Sequence, residues 1–254
     1  MARSLHLTRG SLAPRAISAI GFLVVWELAA TFAHSRLFPA ASAVALTMIQ
    51  EAVSGSLLSN LAITLARVAA AFTVAMVLGT ALGFAMGIWR RVDLALDSWV
   101  TVLLNLPALV LIVLMYVWFG LNEWAAIAAV ALNKLPSTAV MVREGTRALD
   151  RNLVEMAQSF RLGRMKTFRH VTLPQLAPYL FAAARSGLAI IWKIVLVVEL
   201  LGRSNGVGFQ IEAYFQLFDV THILAYTLAF IFVVQAIEWV FLQPLERRVS
   251  RWRR

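Results

Sequence analysis

Apolar residues in this chain do not alternate with polar ones; they run together in long blocks separated by short polar stretches. Six blocks stand out, at about Ala16 to Ala33, Leu61 to Ile88, Trp99 to Phe119, Trp124 to Val142, Ala177 to Leu201 and Ile223 to Leu242. Blocks of this kind match the ~20 residues that an α-helix needs to cross the hydrocarbon core of a bilayer. Inside lipid every backbone N–H and C=O must find a partner within the structure, which excludes an open sheet. Continuous runs also exclude a β-barrel, whose strands alternate. The pattern therefore predicts an all-α membrane protein with about six transmembrane helices. Asn133, Lys134 and Pro136 interrupt the fourth block. Asn105-Leu106-Pro107 is expected to kink the third, because proline removes a helical hydrogen bond.

Composition agrees. The chain of 254 residues is 61% hydrophobic and 14% charged, where a soluble domain carries about 25% charge. In a soluble protein the net charge of +10 would suggest nucleic acid. Here the basic residues cluster between apolar blocks, an arrangement that sets membrane orientation and does not point to nucleic acid. Arg3, Arg9 and Arg15 precede the first block, and Arg90 and Arg91 follow the second. Arg143, Arg147, Arg151, Arg161, Arg164, Lys166 and Arg169 follow the fourth, and Arg247, Arg248, Arg251, Arg253 and Arg254 follow the sixth. The other three connections hold only Arg36 and Arg203. This alternation supports six spans, and the basic side, with both termini, is expected to be cytoplasmic. The expected organisation is a cytoplasmic tail over 1–15, a first transmembrane helix and periplasmic loop over 16–59, a transmembrane domain over 60–244 containing a cytoplasmic loop at 143–175, and a basic tail over 245–254. The first block follows arginines as a signal peptide would, but its exit, Ala30-Thr31-Phe32-Ala33, is a poor cleavage site and further spans follow. It is read as an uncleaved first span. The chain has no cysteine, and His6, His34, His170 and His222 are scattered, so no metal site is expected.

The one sizeable polar stretch runs from Arg143 to Gln175. Asn152-Leu153-Val154-Glu155 reads as a capping box with Asn in the first position. Leu153, Ala157 and Phe160 then share one helical face, with Arg161, Lys166 and Arg169 mainly elsewhere. Pro174 and Pro178 are expected to end this helix and restart the chain at the fifth span. A short amphipathic helix beside a membrane has two readings: an interfacial helix on anionic lipid, or a docking element for a cytoplasmic partner.

This loop resembles the signature of ABC-importer permeases: E-A-A, three residues, G, nine residues, then I-x-L-P. The chain reads Glu155-Met156-Ala157 and, at the expected distance, Val171-Thr172-Leu173-Pro174. Met156 replaces the first Ala. The expected Gly, which in that family permits a turn between two short helices, falls on Arg161, and a glycine follows at Gly163. Trp118-Phe119-Gly120-Leu121-Asn122-Glu123 resembles the W-F-G-x-x-E of the nitrate, sulfonate and taurine branch. Val197-Val198-Glu199-Leu200-Leu201-Gly202 with Asn205-Gly206-Val207-Gly208, and the ending Leu245-Glu246-Arg247-Arg248 with Arg251-Trp252-Arg253, are similar to that branch too. The resemblance covers roughly residues 60 to 254.

It implies a type I importer permease fold, a place in the bacterial inner membrane and a division of labour. The permease, as a homodimer, would form the pathway. Two separate ATP-binding subunits, which bind ATP and Mg, would dock near Glu155 to Gly163. A periplasmic or lipid-anchored binding protein would deliver a small anion such as nitrate, a sulfonate, taurine or bicarbonate. The coupling-loop residues would be Glu155, Met156, Ala157, Phe160, Arg161, Gly163, Leu173 and Pro174. ATP-driven closure of the ATPases would tip the spans from inward-open to outward-open, which requires ATP to bind the two states differently. Truncating Phe160 or reversing Arg161 is expected to uncouple hydrolysis from transport. The chain has no G-x-x-x-x-G-K-[ST] phosphate loop, so it is not expected to be an enzyme and needs no cofactor of its own.

Ionisable residues inside a membrane each need a reason. Glu27, Lys134 and Lys193 fall near mid-depth, Arg67 and Glu199 nearer the outer side, and Arg185 and Glu238 nearer the cytoplasmic side. One reading pairs them across helices, for example Glu27 with a lysine, or Glu199 with Arg203 at i, i+4. The other places Lys134, Lys193 and Glu199 on the substrate pathway, with a lysine attracting the anion. Gly202, Gly206 and Gly208 form either a gating turn at the outer mouth or an ordinary external loop. Gly79, Gly83 and Gly87 recur at helix-packing spacing. A stand-alone secondary transporter or channel is the competing function. It would call for internal repeats, and no convincing repeat relates the two halves. A membrane-embedded enzyme would need a polar catalytic cluster such as H-E-x-x-H, and none is present.

Overall fold

The structure is a computed structural model that describes residues 12–244; the N-terminal residues to 11 and the basic tail over 245–254 lie outside the described residues. The described chain is helical, with no strand. The helices are α1 (Leu12–Ala33), α2 (Ala41–Ser54), α3 (Ser56–Ile88), α4 (Arg90–Asn105), α5 (Ala108–Phe119), α6 (Glu123–Arg147), α7 (Arg151–Ser159), α8 (Arg164–Thr167), α9 (Leu173–Gly202), α10 (Val207–Gln216) and α11 (Val220–Ile237). Wider π turns over 168–172 and 238–242 extend α8 and α11.

The centre of the bundle is α6, flanked by α3 and α9. Gly79, Gly83 and Gly87 lie against α6: a Cβ on Gly79 would sit 2.7 Å from the Thr138 Cβ, and one on Gly83 would run into the Ala139 carbonyl. The small residues thus let the two backbones touch, as their spacing predicted. Ala71, Ala125, Val130, Ile191 and Val195 fill the core between these helices, joined by Ile112 from α5. Despite Asn133, Lys134 and Pro136, α6 runs unbroken for 25 residues.

Four rods are long and apolar enough to cross a membrane: Ser56–Ile88, Glu123–Arg147, Arg164–Gly202 and Val220–Val240. The first expected span is apolar over Ile17–Ala33. The third departs from expectation. It breaks at Leu106-Pro107 into α4 and α5, whose axes differ by 101°. Leu106, at φ −71° and ψ 125°, adopts the extended backbone that a following proline enforces, so the expected kink becomes a break. Of that block, α5 keeps 12 residues, about 18 Å of rise.

Two other expectations are corrected. Arg143 and Arg147 are not loop residues; they lie on the last turns of α6, and both pair with Asp93 of α4, the former at 3.2 Å. Pro174 and Pro178 do not interrupt the chain, because the rod that starts at Arg164 passes through both. The π turn makes room: the Leu173 N–H bonds to the Phe168 carbonyl, and the wider coil accommodates the Pro174 ring.

Candidate functional site

Arg67 enters the core from α3 with 4% of its surface exposed. A charge so placed must be paired and hydrogen-bonded. Its guanidinium donates to Glu199 Oε1 at 2.7 Å, to both Glu123 oxygens at 2.9 and 2.6 Å, to the Asn205 carbonyl at 2.8 Å and to the Asn205 side-chain oxygen. Glu199 on α9 is fully buried, and its other oxygen accepts from Thr64 Oγ1 and from the Gly208 N–H, both at 2.9 Å. Asn60 Oδ1 accepts the Gly206 N–H at 2.7 Å, and Thr64 Oγ1 accepts the Val207 N–H at 2.9 Å. Side chains of α3 and α9 therefore hold three successive N–H groups of the glycine turn. Gly206 has φ +105°, and a Cβ there would strike the Glu199 carboxylate, so the turn requires glycine. Gly202 ends α9 against the ring of Tyr116, whose hydroxyl donates to the Val198 carbonyl at 2.9 Å.

This knot revises two pairings. Arg203 does not pair with Glu199; it bonds Glu123 Oε1 at 2.6 Å and the Leu121 carbonyl at 2.8 Å, because the Glu199 carboxylate points inward to Arg67. Glu27 pairs with no lysine. Its carboxylate accepts the Ser42 N–H at 3.0 Å and the Ser42 hydroxyl at 2.6 Å, capping α2, whose own cap residue, Ala40, has no side-chain acceptor. Glu199, named above as a pathway candidate, has no exposed surface and sits inside the knot. Asn122 caps α6 by accepting the Ala125 N–H at 2.9 Å, which delivers Glu123 to both arginines.

At the opposite end of the bundle lies the turn from α7 to α8. Asp150, not Asn152, caps α7, since its carboxylate accepts the Asn152 N–H at 2.9 Å. Ala157 is buried, but its partners on the predicted face are not: Leu153 is 39% exposed and Phe160 75%. Met156, Leu162 and Met165 are exposed beside them, and so is Glu155. Arg161 takes φ +53°, and the Leu162 N–H folds back to the Ala157 carbonyl at 2.9 Å, wrapping the helix end. The residue standing where glycine was expected thus adopts the glycine-like conformation itself. Gly163, at φ −61° and ψ 155°, does not replace it. Leu173 and Pro174 stand apart from this turn, at the start of α9.

A side chain in the left-handed region costs about 1–2 kcal/mol. Arg161→Gly should therefore match or raise the thermal midpoint of the purified protein, followed by tryptophan fluorescence. Arg161→Val should lower it, because a β-branched residue tolerates this conformation least. Equal midpoints for the two variants would contradict the strained turn.

The two mid-depth lysines differ. Lys134 is 3% exposed, between α6 and α9; its ammonium donates to Ser137 Oγ at 2.7 Å and Ser186 Oγ at 3.4 Å, with no carboxylate partner among the described residues. Lys193 is exposed and lines a groove of about 480 Å³ between α9 and α11, with Trp192, Thr227, Phe230 and Gln235. Arg185 and Glu238, 3.7 Å apart, line the same groove. Of the two, Lys193 is the one that faces open space.

Residues 75–242 match the family described as "Binding-protein-dependent transport system inner membrane component". The putative aliphatic sulfonates transport permease protein SsuC of Escherichia coli (strain K12) is 32% identical over 192 residues, covering 75% of this chain and 73% of that protein. The taurine transport system permease protein TauC of the same organism is 26% identical over 200 residues, covering 79% of this chain and 72% of that one. The inward-facing MetNI methionine ABC transporter superposes with a TM-score of 0.68 at 19% identity, covering 79% of this chain and 99% of the matched chain.

Proposed function

The chain belongs to the family of binding-protein-dependent transport system inner membrane components, and from that premise we propose that it is the permease subunit of an ATP-driven importer for a small anionic solute, a sulfonate in the first instance. One observation carries the coupling role. The turn that aligns with the family's loop signature presents Phe160, Met156 and Met165 to solvent, while Ala157 is buried. An uncovered apolar face on a polar connection is what a partner subunit covers. In this reading two ATPase subunits, holding ATP and Mg, grip that turn on each protomer of a permease homodimer. A binding protein docks at the opposite, outer end, and this chain carries out no hydrolysis itself. The distribution of arginines supports an inner-membrane location with the turn and both termini in the cytoplasm.

The substrate class rests on two relatives named for aliphatic sulfonates and for taurine. Lys193, an exposed cation in the α9–α11 groove, suits such an anion. The test is uptake of a radiolabelled alkanesulfonate into proteoliposomes holding the permease, its ATPase and its binding protein. Uptake should require ATP and all three components, and solute movement by the permease alone would support a stand-alone transporter. Lys193→Ala should raise the half-maximal solute concentration about tenfold, the size of one lost charge-assisted hydrogen bond. Lys193→Arg should retain most of the affinity. Unchanged uptake with a lower thermal midpoint in Lys193→Ala would give the lysine a packing role instead.

A further inference from the structure

A second groove runs between α3 and α9 over the half of the bundle nearest the α7–α8 turn. It holds about 730 Å³ and is walled by Phe72, Met76, Phe84, Leu176, Leu180 and Phe181 among others, with Thr80 its one polar lining side chain. Phe84 and Phe168 meet edge to face across it, with ring centroids 5.8 Å apart. Along the rod Phe168, Leu173 and Ala177 all line the groove, at steps of five residues through the π turn and then four. One α-helical turn before Phe168, on the same line, stands Arg164. Lys166 and Arg169 lie on other faces of the same stretch and do not line the groove; all three cations are exposed.

None of these three has a carboxylate at ion-pair distance among the described residues, whereas Arg143 and Arg147, at the same end of the bundle, both pair with Asp93. An apolar slot with an unneutralised cation at its end and two more beside it has the polarity of a phospholipid. In the orientation proposed above, on which this inference rests, it opens toward the cytoplasmic leaflet, which carries the anionic lipids. We propose that this groove binds one acyl chain of an anionic phospholipid, its phosphate held by Arg164, with Lys166 and Arg169 on other faces of the same stretch adding to the positive field around it. A helix from a second copy would fill the apolar slot but leave the cations without counter-charge. The bound lipid links α3, α8 and α9 immediately behind the α7–α8 turn, so anionic lipid supports the geometry of the coupling end.

The test is native mass spectrometry of the permease–ATPase complex, equilibrated with phosphatidylglycerol or with phosphatidylcholine of the same chains. Wild type should retain phosphatidylglycerol preferentially. The Arg164→Gln, Lys166→Gln, Arg169→Gln triple variant, altered only at exposed positions, should retain it on the order of 100-fold less strongly, since each basic side chain near the surface contributes about a fivefold factor. Ala81→Trp, which fills the groove and leaves the cations in place, should lose the lipid as well. A photo-crosslinking residue at position 81 should label lipid. Equal retention of the two lipids, a triple variant indistinguishable from wild type, or a crosslink to a second permease chain would each overturn the site. ATP-driven solute uptake is measured on the same preparation: uptake without lipid preference removes only the lipid site, and lipid preference without uptake removes only the importer reading.

Discussion

Arg67→Met should all but abolish the folded permease. The substitution keeps the volume of the side-chain stem but strips a fully buried Glu199 of its cation and Glu123 of its bidentate partner. Removing one member of a buried pair costs about 3–5 kcal/mol, because the charge left behind is uncompensated. Set against a total stability of about 5–15 kcal/mol, that is a large fraction. The expected result is a steep loss of protein from the membrane fraction and a much lower thermal midpoint for what remains. Glu199→Gln should be milder, since a carboxamide oxygen can still accept from Thr64 and the Gly208 N–H. In the double variant the two costs should be less than additive, with a coupling of about 0.5–3 kcal/mol for groups in contact. A wild-type midpoint for Arg67→Met, or strict additivity in the cycle, would show that the knot does not hold the glycine turn to α3.

The knot also marks where sequence reading stopped. Apolar blocks and the Gly79–Gly83–Gly87 stripe were legible because their signals are local: block length and a four-residue repeat both survive without knowledge of partners. Arg67 meets Glu123 across 56 residues and Glu199 across 132. Nothing local joins them, and the local rule of i, i+4 pairing pointed Glu199 to Arg203 instead. The one available signal was an arginine inside an otherwise apolar block, which demanded a partner without naming it. The two stretches that resembled the sulfonate and taurine branch, 118–123 and 197–208, turn out to converge on that arginine.

Elsewhere the misses are matters of degree. Pro107 makes a break where its lost hydrogen bond alone predicts a kink, because the extended Leu106 adds its own restriction. Pro174, which by itself predicts a break, is absorbed because a π turn precedes it. Asp150 and Asn152 are both good caps, and it is the Asp150 carboxylate that accepts a first-turn N–H. The position of the α7–α8 turn was legible from the resemblance. The left-handed backbone at Arg161 was not, since an arginine does not announce it.

The second large effect falls on that turn. Phe160→Ala removes a ring that is 75% exposed, so it should leave the fold intact. If an ATPase subunit covers the ring, burying a phenylalanine is worth about 1.5–3 kcal/mol, and truncation should weaken the permease–ATPase contact roughly 10- to 100-fold. Hydrolysis in the reconstituted importer should then persist at its basal rate and lose its stimulation by loaded binding protein, while uptake falls with it. Arg161→Glu, which reverses the charge beside the ring, should act in the same direction. The thermal midpoint separates this from unfolding, because neither side chain packs in the core. Phe160→Trp distinguishes the two original readings of the helix. A ring that docks on a partner should shift its emission to the blue when ATPase is added, whereas one lying on the bilayer should shift on reconstitution into anionic lipid alone. Normal stimulated turnover in Phe160→Ala, with a tryptophan that responds only to lipid, would make the helix a membrane anchor and move the motor's grip elsewhere on the chain.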